Sequence, residues 1–133
     1  MTQNHITIIS LNVNGLNAPI KRHRVAKWIR KLNPTFCCLQ ETHLNKQSKH
    51  RLKVKGWKTI LQANNPLKKA GVAILVSDNI DFKLKNIKRD SKGHFLFIKG
   101  YVQQEEITLL NIYTPNERPA KYLKELLTEF KVC

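Results

Sequence analysis

Short apolar runs alternate with polar turns along the chain, and the runs carry two different periods. "HITIISLNV" (5–13) is rich in β-branched residues and reads as a buried strand. "NVNGLN" supplies a turn around Gly15, and Pro19 suits the first turn of a helix. Val25, Trp28, Ile29 and Leu32 then recur at i, i+3, i+4 and i+7, which predicts one apolar helical face. Lys21, Arg22, Arg24, Lys27, Arg30 and Lys31 fill the rest of that helix, and "NP" at 33–34 stops it. "TFCCLQE" (35–41) predicts a second strand, followed by the cation-rich loop "THLNKQSKHRLKVKG". "WKTILQA" (57–63) and "GVAILVS" (71–77) predict strands either side of a polar turn at "NNPLKK". "DFKLKNIKRD" sets Phe82 and Leu84 against Lys83 and Lys85, one face dry and one wet. "GHFLFIKGYV" and "EITLLNIYTP" complete a meander with turns at "SKG" (91–93) and "QQEE" (103–106). After Pro119, Leu123, Leu126, Leu127 and Phe130 again fall on one helical face.

This order predicts an α/β chain of about one β-sheet with two helices. An antiparallel sheet with an apolar inner face needs a covering layer. The near-continuous apolar runs "ITIISL" and "TLLNIY" predict burial on both faces. The pattern is that of one half of a two-layer β-sandwich with outer helices, without its partner sheet.

Composition bounds this picture. A length of 133 residues is one domain or part of one, and 41% hydrophobic residues suffice for a core. No 20-residue apolar span predicts a membrane helix, and "MTQNHITIIS" has no basic segment leading into a long apolar one. Cys37 and Cys38 are strand neighbours pointing to opposite faces, a poor bridge or metal pair. With Cys133 they are expected to be reduced, in an intracellular (nuclear or cytoplasmic) protein. The formal net charge of +15 points to a polyanion partner, drawn by long-range attraction and counterion release.

Acids are scarce enough to inspect singly. Glu105 and Glu106 fall in a predicted turn; Glu117, Glu125 and Glu129 accompany the last helix; Asp78, Asp81 and Asp90 lie at strand ends or turns. All are most simply solvated. Glu41 differs because it directly follows a buried strand. Asn12 ends the first strand, and Tyr113 with Asn116 ends the last. If these ends share one sheet edge, a carboxylate flanked by amides and a phenol suits a Mg²⁺ that keeps several waters and meets a phosphate. The five histidines, His43 among them, match no zinc spacing, and no Gly-rich phosphate loop occurs.

"LNVNGLN" (11–17), "CCLQETH" (37–43), "GVAILVS" (71–77) and "NIYTPN" (111–116) occur in the order found in the endonuclease/exonuclease/phosphatase superfamily, which includes exonuclease III and the apurinic/apyrimidinic endonucleases. The chain most resembles the N-terminal endonuclease domain of the second open reading frame of LINE-type retrotransposons, with "IKRHRVAKWI" and "HRLKVKGWK" carrying that closer likeness. The resemblance implies a four-layer α/β-sandwich and Mg²⁺-dependent cleavage of a DNA phosphodiester, with Mn²⁺ as a substitute metal. It implies that Glu41 binds the metal beside Asn12, that Tyr113 acts near the scissile phosphate, and that Asn14 and Asn116 line the cleft. The wider family often has Asp at the position of Thr35 and Lys at that of His43; both departures match the retrotransposon branch. No Gly-Asp-x-Asn or Ser-Asp-His string occurs, so residues 1–133 are expected to be the N-terminal half of the domain and inactive alone. The competing readings are a non-catalytic nucleic-acid-binding fragment, or a truncated retroelement copy with no selected role.

Overall fold

A computed structural model of the chain describes residues 5–113. The elements are β1 (Ile8–Asn12), α1 (Pro19–Leu32), β2 (Phe36–Gln40), a 3₁₀ turn (Lys49–Arg51), β3 (Thr59–Ala63), β4 (Val72–Val76), β5 (Phe82–Arg89), β6 (Phe95–Val102) and β7 (Glu105–Ile112). The helix predicted after Pro119, Asn116 and Cys133 lie outside the described residues.

Two sheets form where one was expected. The first has the order β1-β2-β4-β3 and the second β5-β6-β7. β1 runs parallel to β2, since α1 crosses over between them, while β2–β4 and β4–β3 are antiparallel. The second sheet is an up-and-down meander of eight-residue strands. Its strands pair with one another, which leaves its apolar face to stack on the first sheet rather than extend it. The meander's last turn is tighter than predicted. Val102 pairs with Glu105, so Glu105 and Glu106 belong to β7, and Glu106 pairs with Lys99 at 3.2 Å.

Helix α1 starts without a side-chain cap on Ala18 and relies on Pro19 in its first turn. Asn33 ends it in the left-handed region, donating its N–H to Ile29 O at 2.8 Å, and Pro34 cannot continue it. The buried stripe is Val25, Ala26 and Ile29, whereas Trp28 and Leu32 are 37% and 46% exposed. The helix buries a narrower strip than its periodicity predicts, because Leu44, Leu52, Val54 and Trp57 of the following loop share its layer.

Two cores lie on either side of the first sheet. The outer one joins α1 and the 44–57 loop to Cys37, Leu39, Ala73 and Leu75. The inner one sets Phe36, Cys38, Val72, Ile74 and Val76 against Leu96, Ile98 and Val102 of the second sheet. Burial on both faces is therefore the property of β2 and β4. β1 and β7 are edge strands with alternating exposure, and Ile8 is half exposed. The predicted alternation in β5 fails after Phe82, because a bulge between Leu84 and Asn86 breaks the register and Leu84 stays exposed.

Cys37 faces the outer core and Cys38 the inner one, as alternation predicts, and both are free thiols. Burial, with the adjoining Cys38, pushes the Cys37 thiol up to about 12, and burial pushes Cys38 up to about 11. Only the thiolate reacts, so at pH 8 about one part in 10³–10⁴ of each thiol is reactive. In a Cys133→Ser chain, Ellman's reagent should label neither cysteine until urea unfolds the protein. Prompt labelling of folded protein would contradict this packing.

Candidate active site

The C-terminal ends of β1 and β2 lie side by side, with Asn12 opposite Gln40. Strand alternation would send Glu41 to the helix side, with Cys37 and Leu39. Instead Glu41 adopts the left-handed region (φ 56°), a conformation that costs a non-glycine residue about 1 kcal/mol or more. Its carboxylate meets the Asn12 amide, Asn12 Nδ2 donating to Glu41 Oε2 at 2.5 Å. The Tyr113 phenol, from the end of the other sheet, lies within the electrostatic reach of Glu41.

Backbone contacts hold the turn in place. Gly15 and Leu16 donate to Glu41 O and Thr42 O at 2.6 and 2.8 Å, and Thr42 and His43 donate to Gly71 O and Ala70 O at 3.1 and 2.9 Å. Two glycines make this closeness possible. A Cβ on Gly15 would stand 2.9 Å from His43 Nδ1, and one on Gly71 2.4 Å from Thr42 Oγ1; both glycines have positive φ.

A second polar cluster ties the sheets together just beneath. Asn111 of β7 is 3% exposed. Its Nδ2 donates to Leu39 O and Ala73 O at 3.0 and 2.8 Å, and its Oδ1 accepts from Gln40 Nε2 at 2.7 Å. Gln40 Nε2 also reaches Ser10 Oγ on β1 at 2.9 Å. Tyr113 N–H donates to His94 O at 2.7 Å, and His94 pairs with Asp90 (Nδ1–Oδ2 3.5 Å) while donating its own N–H to that carboxylate.

The structure thus brings Asn12, Glu41 and Tyr113 together. Asn14 is adjacent, its N–H donating to Asn12 Oδ1 at 3.0 Å. Asn116 lies outside the described residues. His43 Nε2 stands 3.8 Å from Glu41 Oε1, and no group of three His, Cys, Asp or Glu occurs among the described residues. Sequence reasoning missed Asn111, Gln40, and the Asp90–His94 pair beside Tyr113. The one available signal was the polar Asn111 inside the apolar run "TLLNIY". Asp90, expected to be simply solvated, instead holds His94.

Loss of solvation, then the negative charge of Glu41, raise the Tyr113 phenol above its ordinary value. It therefore stays a neutral donor through the physiological range.

The chain matches the Endonuclease/Exonuclease/phosphatase family over residues 9–125, and it belongs to that family. Solved structures with similar folds include TDP2 from D. rerio complexed with a single-strand DNA product (TM-score 0.69, 16% identity, covering 95% of this chain and 54% of that one). The endonuclease domain of TRAS1, a telomere-specific non-LTR retrotransposon, aligns with TM-score 0.64 at 13% identity over 94% of this chain and 52% of that one. An AP endonuclease from Archaeoglobus fulgidus aligns with TM-score 0.57 at 22% identity, covering 92% and 48%. The chain spans about half the length of these structures. Its α/β architecture, one helix-and-loop layer on two stacked sheets, is that of the family.

Replacing Glu41 with Gln removes the charge facing the Tyr113 phenol. Difference ultraviolet titration against Tyr113→Phe should show the Tyr113 transition moving to lower pH in Glu41→Gln. An unmoved transition would separate the two side chains.

Proposed function

We propose that this chain carries the metal-binding half of a Mg²⁺-dependent DNA endonuclease of the LINE-type retrotransposon kind. The observation that supports this best is the meeting of Asn12, Glu41 and Tyr113 at one sheet end inside the family match. The donor set fits a mostly hydrated Mg²⁺. Glu41 offers a carboxylate whose side chain is 23% exposed, and Asn12 Oδ1 keeps a lone pair beyond its bond to Asn14 N–H. Glu41 is the first metal ligand and Asn12 the second, with Mn²⁺ able to replace Mg²⁺. When bound, the metal supplies positive charge against the phosphate oxygens.

This chain's residues do the rest of the local work. Asn12 fixes the Glu41 carboxylate through its amide hydrogen bond. Tyr113 turns its protonated phenol from Glu41 to a phosphate oxygen, donating to charge that grows during cleavage. Asn14 and Asn116 line the path of the DNA strand. The protein works inside the cell, where DNA is its partner and no membrane is needed. The family's Gly-Asp-x-Asn and Ser-Asp-His strings, which orient and activate the attacking water, are not in residues 1–133. Residues 1–133 are the N-terminal half of the domain, and the other half completes the site. Positioned acid–base groups are typically worth ~10²–10⁴ in rate, so the 133-residue chain alone nicks DNA weakly or not at all.

Metal binding tests the site independently of turnover. Electron paramagnetic resonance titration with Mn²⁺ should show a site that Mg²⁺ competes for and that Glu41→Gln weakens at least tenfold. Equal Mn²⁺ binding by wild type and Glu41→Gln would overturn the assignment. Any nicking of supercoiled plasmid by the chain should vanish in Glu41→Ala and fall sharply in Tyr113→Phe.

A further inference from the structure

A groove runs along the free edge of the first sheet, on the far side of β4 from the Glu41 turn's own strand. β3 supplies its floor. Lys58, Ile60, Gln62 and Asn64 alternate along one face of the strand and line it together. The 46–58 loop forms one wall, and Arg89 of β5 closes the other side, donating Nε–H to Gln62 O at 2.9 Å. Lys46, Lys49, Lys53, Lys55, Lys58 and Arg89 supply six cations, and among the described residues no acidic one lines the groove.

Most of these cations have no compensating charge. The five lysine ammonium groups make no ion pair among the described residues, in contrast to Lys85 and Lys99, which flank Glu106. Asp78, at the groove's end, spends its carboxylate on the backbone N–H of Lys58 (2.8 Å). Five like charges along one trough repel each other, so the structure carries a standing cost that an anionic ligand would relieve. A ligand that suits this row of cations carries a line of negative oxygens, as the phosphates of a nucleic-acid strand do. Trp57 is 4% exposed and ties its indole N–H to Pro34 O at 3.0 Å, which leaves His50 as the exposed ring among the described lining residues. A single imidazole is no run of stacking platforms, so the phosphate backbone of a duplex fits better than splayed single-stranded bases.

We infer that the β3 groove is a second nucleic-acid contact, seating the phosphate backbone of duplex DNA outside the Asn12–Glu41–Tyr113 cluster. Its rim at Lys46 lies three residues along the chain from His43, whose Nε2 stands 3.8 Å from Glu41 Oε1. The contact requires neither a metal nor cleavage, and it stands whether or not the nuclease reading does.

Fluorescence anisotropy with a labelled 30-base-pair duplex in EDTA, over a range of salt, tests it. Each phosphate contact contributes about −0.9 to the slope of log affinity against log salt. The variant Lys49→Gln/Lys53→Gln/Lys55→Gln should bind at least tenfold more weakly at low salt, with a slope shallower by ~2–3. A control makes the result specific: Arg24→Gln/Lys27→Gln/Lys31→Gln, with the same charge change on α1, should keep the steeper slope. Equal losses in the two triple variants would reduce the effect to net charge and overturn the inference. So would an unchanged slope, preferred binding of single strands, or tighter groove-dependent binding to phosphatidylserine vesicles than to DNA. Circular dichroism confirms that the surface substitutions leave the fold intact.

Discussion

The site depends on a buried amide. Asn111 inserts from β7 between the facing carbonyls of Leu39 and Ala73 and holds Gln40 with its own oxygen. Asn111 is 3% exposed, so its two bonds to the carbonyls form where water does not readily substitute. Removing them costs on the order of 2–3 kcal/mol, a large share of a domain's net stability. Apolar packing alone would let two sheets slide by a residue with modest loss. A directional amide that must meet two carbonyls and one side-chain N–H allows one register. That register puts Tyr113, two residues past Asn111, against Glu41, one residue past Gln40.

The cluster also stores local strain. Asn14, Glu41 and His43 all take left-handed backbone conformations, and none is glycine. Interlocked backbone hydrogen bonds from Gly15, Leu16, Thr42 and His43 hold them there. The strain has a geometric return: it turns the Glu41 carboxylate off its strand face toward Asn12 and the opposite sheet. Packing of this kind sets a carboxylate and phenol in place before any ligand arrives, as an electrostatic site requires.

Much of the fold was legible in the chain. Apolar runs marked β1 to β4 to within three residues at each end, and "NP" marked the end of α1 because Pro34 forbids the next turn. The strand ends carrying Asn12, Glu41 and Tyr113 were readable too, since a polar residue after an apolar run marks where a sheet meets solvent. Pairing was not readable. Nothing local says that β5–β7 form a separate sheet, because an apolar face reads alike whether it extends a sheet or stacks on one. The parallel β1–β2 pair and the edge positions of β1 and β7 are likewise products of topology. Asn111 could be seen as an odd polar residue, but its three partners lie 38 to 72 residues away in sequence. The basic groove was visible only as a cation-rich loop until β3 and Arg89 gave it a floor and a second wall.

The central claim is that the inter-sheet amide clamp builds the cluster by holding Tyr113 against Glu41. The most direct measurement is the ultraviolet titration of Tyr113 in Asn111→Ala, read against Asn111→Ala/Tyr113→Phe, under conditions where both chains melt cooperatively. The account predicts that loss of the clamp lets Tyr113 drift from Glu41, so its raised ionisation returns toward that of an ordinary tyrosine. A Tyr113 transition as raised in Asn111→Ala as in the wild type would show that the cluster forms without the clamp and would contradict the account.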